Sequence, residues 1–252
     1  MTTQEFSNEF DILYSNISSN AAPGLNEYEK SVFLTDAQLE IVRNYFNPKG
    51  NKYQEGFDGS QKRQIDFNRL VKVALVPTVA NPANYTRFDE RSQLFTMPND
   101  ILYILSESAK VQYDTSYIHK INIVPITFDE YNIMISRPYK YPFKQQGWRL
   151  IENQGNNGPI AEIISKGVIS NYVMRYVRMP NPIILLDLTE DVDPVDVNEN
   201  FNGLTIQGQT AEQTSELDQS VHQEILQRAV ELAKNAYLGD LQTTVQFGGR
   251  KE

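Results

Sequence analysis

The 252-residue chain has no cysteine. That excludes disulfides, thiolate metal sites and thiol nucleophiles together, and it fits a chain that folds in a reducing compartment. Histidine is scarce: His119 and His222 are the two copies, far apart in sequence. A zinc site or a histidine-based triad would have very little to be built from. The phosphate-cradling GxxxxGK[ST] pattern, a GxGxxG following a strand and a GxSxG elbow are all missing. Positive charge is in deficit, with 23 Lys and Arg against 32 Asp and Glu and a net charge of −9. Counterion release therefore gives the chain no grip on phosphates, and nucleic acid should be repelled rather than held. No apolar run spans a bilayer; the longest, such as Ile183-Ile184-Leu185-Leu186, is far too short. The opening Met1-Thr2-Thr3-Gln4-Glu5-Phe6 has neither the basic region nor the apolar core of a signal peptide. The sequons at Asn16 and Asn84 are accordingly read as chance. Nothing here calls for a cofactor or a metal.

What is present is a foldable chain, 40% apolar and 22% charged, long enough to bury a core without staples. Phe6, Phe10, Leu13 and Ile17 recur at spacings of four, three and four, one face of a helix over residues 3–19. Thr2 and Glu5 supply its capping box, and Ala21-Ala22-Pro23-Gly24 stops it. A second helix is predicted to begin after Thr35, capped by Thr35 and Gln38, with Leu39, Val42, Tyr45 and Phe46 inward. A glycine-rich loop over 47–60 follows. A weaker helix over 61–70 turns Ile65 and Leu70 inward. From residue 71 to 188 β-branched and aromatic residues dominate. Candidate strands are 71–76, 101–106, 119–126, 132–136, 148–152, 160–166, 172–178 and 183–188. Their short length and intervening turns point to an antiparallel sheet rather than βαβ units.

Residues 187–199 form an acidic stretch read as a solvated connector, its spacing lacking the glycine and distal glutamate of a calcium loop. The clearest helix follows. Ser215 and Asp218 cap it, and Leu217, Val221, Ile225, Ala229, Leu232, Ala233, Ala236 and Tyr237 line one face. Gly239 stands where a left-handed C-terminal residue belongs. The expected fold class is α+β, with the terminal helices (1–70 and 210–240) packed as a helical bundle around a central antiparallel β-rich domain (71–190). An acidic connector (191–209) and a tail (241–252) complete the division. The connector before Thr214 and the 47–60 loop are expected to order only on assembly.

Candidate chemistry is thin. His119 has Asp114 and Ser116 near it in sequence, but strand neighbours alternate faces, so a surface or structural histidine is the simpler reading, as for His222. Asp89-Glu90, Asp129-Glu130 and Glu190-Asp191 are adjacent carboxylates. A glycosidase needs two acids across a cleft, and adjacent acids at strand ends are ordinarily solvated turns. A hydrolase built on Asp129 and Glu130 is thus the third-ranked function. The second is a β-rich module that binds host glycan, with exposed tyrosines and Trp148 stacking on sugar. The first is a structural assembly subunit, favoured by the helix–β–helix layout and the missing chemistry, with aromatics, 14 Tyr and 12 Phe, abundant for its interfaces. In Arg137-Pro138-Tyr139-Lys140-Tyr141-Pro142-Phe143-Lys144 cations and aromatics interleave, as in single-strand binders. In an acidic chain a proline-ordered loop docking on a partner protein explains it better.

The runs 9–17 (Glu9-Phe10-Asp11-Ile12-Leu13-Tyr14-Ser15-Asn16-Ile17), 22–35, 125–132 and 222–233 resemble virion proteins of crAss-like phages. The last of them looks like the closing helix of podovirus-type tail adaptors. The resemblance implies a head-to-tail connector subunit: a non-enzymatic virion protein assembled with copies of itself in a ring, about twelve of them. It would contact the portal protein and neighbouring tail or ring proteins. DNA would pass through the channel, and no membrane is involved. Assembly would take place in the host cytoplasm. Candidate interface residues are Phe6, Phe10, Leu13, Tyr139, Tyr141, Phe143, Ile225, Ala229, Leu232 and Tyr237.

Overall fold

The computed structural model describes residues 1–15, 24–46, 65–82, 85–114, 117–137, 142–152, 158–189 and 203–238. The chain is α+β and divides into two compact units: residues 1–70 with 180–252, and Val71–Met179.

In the first unit, α1 (Thr3–Ser15) is opened by the expected box, the Glu5 N–H donating to Thr2 Oγ1 and the Thr2 N–H to Glu5 Oε2. Helix α2 runs over Glu27–Phe46, nine residues earlier than expected. Its box is Asn26 with Glu29. Thr35 and Gln38 lie inside α2 and are buried. With Ser31 they form a polar stripe at helical spacing. It binds an extended segment: Ile183 N–H donates to Thr35 Oγ1 at 3.1 Å, Leu185 N–H to Ser31 Oγ at 3.0 Å, and Gln38 Nε2 to Asn181 O at 2.8 Å. Residues 183–188 therefore have the look of a strand without being one. Their buried backbone groups are satisfied by a helix and by the returning chain, through Ile184 with Gln213 and Leu188 with Thr210. The stretch 203–213, expected to await assembly, is thus tied within the unit. It turns at Gln207 and Gly208, with φ of 52° and 77°, where Ile206 and Gln209 bond reciprocally. Positive φ at both central residues is the type I′ signature, and glycine suits the second.

Helix α4 (Gln219–Leu238) starts on Asp218, whose Oδ1 accepts from the Ser220 N–H at 3.0 Å. Ser215 instead bonds Gln38. The helix buries Val221, Ile225, Leu226, Ala229, Val230 and Ala233. It is tied to α1 by the tilted Phe6–His222 ring contact, centroids 5.2 Å apart, and by Lys234 Nζ on Leu13 O. The Arg228–Glu40 ion pair at 2.9 Å ties it to α2. Of the expected third helix, residues 65–67 are helical and run into a 3-10 segment, Asn68–Leu70; residues 61–64 lie outside the described residues. Leu70 is buried, but Ile65 is 68% exposed, against expectation.

The second unit is one eight-stranded sheet. Its strands are β1 (Val71–Val76), β2 (Thr78–Val79), β3 (Gln93–Thr96), β4 (Ile101–Asp114), β5 (Tyr117–Pro125), β6 (Gln146–Glu152), β7 (Ile160–Ile164) and β8 (Val168–Arg178). The order β1-β8-β4-β5-β6-β7-β3-β2 has one consequence for shape. β1 passes through Pro77 straight into β2, so a single run of chain supplies both ends of the order and the sheet curls on itself. Its enclosed face packs Phe95, Ala109, Val111, Ile121, Ile163 and Tyr172.

The sheet is mixed, not antiparallel throughout. β5 and β6 pair in parallel, Asn122 with Gln146 through Pro125 with Arg149. Parallel neighbours need a crossover, and α3 (Phe128–Ile135) provides it. Residues 132–136, expected as a strand, are part of that helix and its cap. Thr127 and Glu130 close a capping box on it, which overrides the β-rich composition of Ile133-Met134-Ile135. Gly167, between β7 and β8, marks a close approach: a Cβ there would lie 2.6 Å from Gln112 O.

Candidate assembly surface

In the helical unit most of the sequence-predicted interface residues are spent inside the protomer. Phe6, Phe10, Ile225 and Ala229 are 0% exposed, so they form the unit's own core and leave no surface for a neighbour. Leu13 and Leu232 are half-buried. Tyr139 and Tyr141 lie outside the described residues. Tyr237 lies on α4, its side chain likewise outside them. Beside this core, Tyr14, Leu25, Tyr28, Val32, Phe33, Ala233 and Ala236 line an open apolar groove of about 470 Å³.

The sheet unit carries the opposite pattern. Its outer side leaves large apolar groups in water. Val73 and Leu75 on β1 are 69% and 64% exposed, and Phe143, at the end of the aromatic loop, 67%. Ile133 and Ile135 stand out from α3, and Phe128 is 45% exposed. The buried side of α3 is narrow. Tyr131 packs with Trp148, Leu150 and Ile164, flanked by Met134 and Phe88. Exposed apolar groups of this size make these faces candidates for an interaction surface.

Three charged side chains inside this unit went unseen in the sequence. Glu162 on β7 is 0% exposed. Its carboxylate accepts the backbone N–H groups of Phe88 and Asp89, each at 3.0 Å, and the Tyr85 hydroxyl at 3.5 Å. It thereby pins the 85–92 turn to the sheet, where Tyr131 adds a bond to Phe88 O. Charge-assisted bonds to backbone amides are among the stronger ones. Arg149 on β6 pairs with Glu107 on β4 at 3.0 Å, the two side chains 8% and 4% exposed. Tyr172 donates to the same carboxylate. Burial raises the Glu107 pKa above the ordinary glutamate range, the Tyr172 bond and the Arg149 charge recovering only part of the loss. The Tyr172 hydroxyl is pushed up, by burial first and by Glu107 second. A buried acid that alternates with apolar neighbours looks, in sequence, like any strand residue facing water.

The remaining candidates fall apart as sites. Asp129 and Glu130 occupy the first turn of α3, and Glu130 closes the capping box. Asp89 is held in the pinned turn, and Glu190-Asp191 lies outside the described residues. His119 is exposed on β5 beside the Tyr113 ring. Buried His222 sits against Leu217 O. Trp148 is only 7% exposed and is not available to stack on a sugar. Asp187 is bonded by Thr189, which depresses its pKa. Among the described residues no group of His, Asp and Glu could hold a metal ion, and no helix is long and apolar enough to cross a membrane.

The family model described as phage tail ring protein 3/4 matches residues 1–245. The chain belongs to the phage tail ring protein 3/4 family. It is 47% identical over 254 aligned positions to "Ring protein 4/5" of Bacteroides phage crAss001, with all of both chains covered. It is also 30% identical over 236 positions to "Ring protein 3" of the same phage, covering 92% of this chain and 95% of that one. The names of the family and of these relatives mark it as a structural ring component of the phage. The likeness to crAss-like phage virion proteins read from the sequence holds over the whole chain.

Proposed function

We propose that this ring-family protein is a structural subunit of the phage head-to-tail connector. It assembles with copies of itself, about twelve, into a closed ring by heterologous contacts. The ring joins the portal to the tail, and DNA passes through it during packaging and ejection. The chain makes and breaks no bonds. Host cytoplasm is where it assembles, and the virion is where it acts. In this reading the terminal helices act as a bundle, and the copy-to-copy contacts use the sheet unit's exposed apolar groups: Phe143 with Tyr139 and Tyr141, α3 with Ile133 and Ile135, and β1 with Val73 and Leu75. Half-buried Leu13 and Leu232, with Tyr237, would complete the helical side. The negative charge of the chain suits a conduit, since an acidic wall keeps duplex DNA from adhering.

The observation that carries the reading is the full-length likeness to "Ring protein 4/5", in a chain whose outer sheet leaves Val73, Leu75 and Phe143 more than 60% exposed. The test is native mass spectrometry of the purified chain with a Phe143→Ser variant. Phe143 is exposed, so the variant folds as the parent does. The wild type is expected as a closed ring of one copy number, and the variant is expected to need about tenfold more protein to form it, the effect of losing one interface anchor. A wild type that stays monomeric at every concentration and never enters particles would overturn the proposal.

A further inference from the structure

The β4–β5 hairpin sets two lysines directly against each other. Lys110 and Lys120 are cross-strand partners. Their neighbours Ala109, Val111 and Ile121 pack into the enclosed face, so both lysines stand on the outer face, where both are exposed. Ile118, 62% exposed, lies two residues before Lys120 on the same face. Like charges placed opposite each other destabilise an antiparallel pair. Neither ammonium group makes an ion pair among the described residues. The free protomer thus carries an uncompensated cost at this spot.

The complementary charge lies elsewhere in the chain. Residues 179–227 hold ten acids and not one Lys or Arg. A ring of identical subunits closes by joining one surface of a copy to a different surface of the next. Copies that each carry nine excess negative charges repel one another, so a stable seam needs cations on one of its sides.

We propose that the Lys110–Lys120 face is the cationic side of the seam, and that its occupant is the acidic 179–227 span of a second copy. The assignment rests on the ring reading above. Complementary charge across the seam fixes its register and speeds association, and an opposed lysine pair in the free protomer becomes an ion-paired one in the ring.

A charge reversal separates this from a structural role. Lys110→Glu turns the like pair into an opposite pair, so the free protomer's melting temperature should rise while ring formation should need about tenfold more protein, the scale of a lost interfacial ion pair. Lys110→Glu with Lys120→Glu should weaken the ring further. Zero-length carbodiimide coupling of rings mixed from light and heavy-isotope copies should join Lys110 or Lys120 to acids of 179–227 in mixed-isotope peptides. Wild-type rings with crosslinks elsewhere, or variants that assemble at wild-type concentrations, would overturn the inference and leave the ring reading standing. A wild type with no ring would overturn both. Intact variant rings that lose binding to a DNA duplex seen with the wild type would reassign the face to nucleic acid and overturn the inference.

Discussion

In the helical unit the buried ammonium of Lys30 keeps a solvated partner, whereas in the sheet unit the Arg149–Glu107 pair is buried on both sides. Lys30 shows the first arrangement. Its amine reaches Asp11 at 2.7 Å and Glu27 at 3.0 Å, but Asp11 is 55% exposed. Burial disfavours the ammonium, and the two acids outweigh it and hold its pKa above the usual lysine value. Glu162 and the Arg149–Glu107 pair show the second, with no solvated partner to fall back on. The helices are assembled mainly on apolar periodicity, with the polar stripe of α2 holding residues 181–185. The curled sheet uses charge to hold a turn and to cross its own interior. A unit so fixed from inside can leave aliphatic and aromatic groups outside for neighbours.

The contrast can be broken at Glu162 first. Glu162→Ala strands two buried amide donors, each costing about 1–3 kcal/mol, so urea unfolding should show a loss of about 3 kcal/mol. Lys30→Met replaces a buried ammonium, and the two acids that it held regain water. Its loss should be smaller than that of Glu162→Ala, because no buried polar group is left unpaired. Equal losses would erase the distinction between the units.

Arg149→Met sharpens it. With the guanidinium gone, nothing but Tyr172 favours the ionised Glu107. A carboxyl whose folded pKa lies above its unfolded value gives stability that is present below the unfolded pKa and is lost as pH rises through the folded one. The variant should therefore be most stable in mild acid and weaken toward neutrality, more steeply than the parent, in unfolding followed from pH 4 to 8. A parallel pH profile would show that Glu107 does not depend on Arg149.

The smallest effect belongs to the helical unit. Burial, and then the nearby chain amino group, depress the pKa of His222. A depressed base gives stability that is present above the unfolded pKa of about 6.5 and is lost as pH falls through the folded value. His222→Gln should flatten stability between pH 7 and 5, and a slope unchanged from the parent would place the titration elsewhere.

The same contrast decides what was legible in the sequence. Helices α1 and α4 were readable because each buries one stripe, Phe6 with Phe10 in one and Val221, Ile225 and Ala229 in the other. The start of α2 was not, because Thr35 and Gln38 mimic a cap while serving as a polar stripe for residues 181–185. Most strands were readable from β-branched content. The parallel β5–β6 pair was not, since a capping box at Thr127 and Glu130 turns a β-looking stretch into the crossover helix. Phe143, placed in a loop by its sequence context, is exposed. Phe6, Phe10, Ile225 and Ala229 were misplaced on the surface because an apolar stripe looks the same whether it is covered by its own chain or by another copy. The opposed lysines depend on strand register, which pairs residues ten apart only once the hairpin is known.

The most direct test of the account is a reconstruction of the purified phage particle at side-chain resolution. The account predicts this chain in a closed ring of the tail, with Phe143 and the outer face of the sheet unit covered by the adjoining copy or ring. Density for the chain outside any ring, or a ring whose copies leave Phe143, Val73 and Leu75 in solvent, would contradict it.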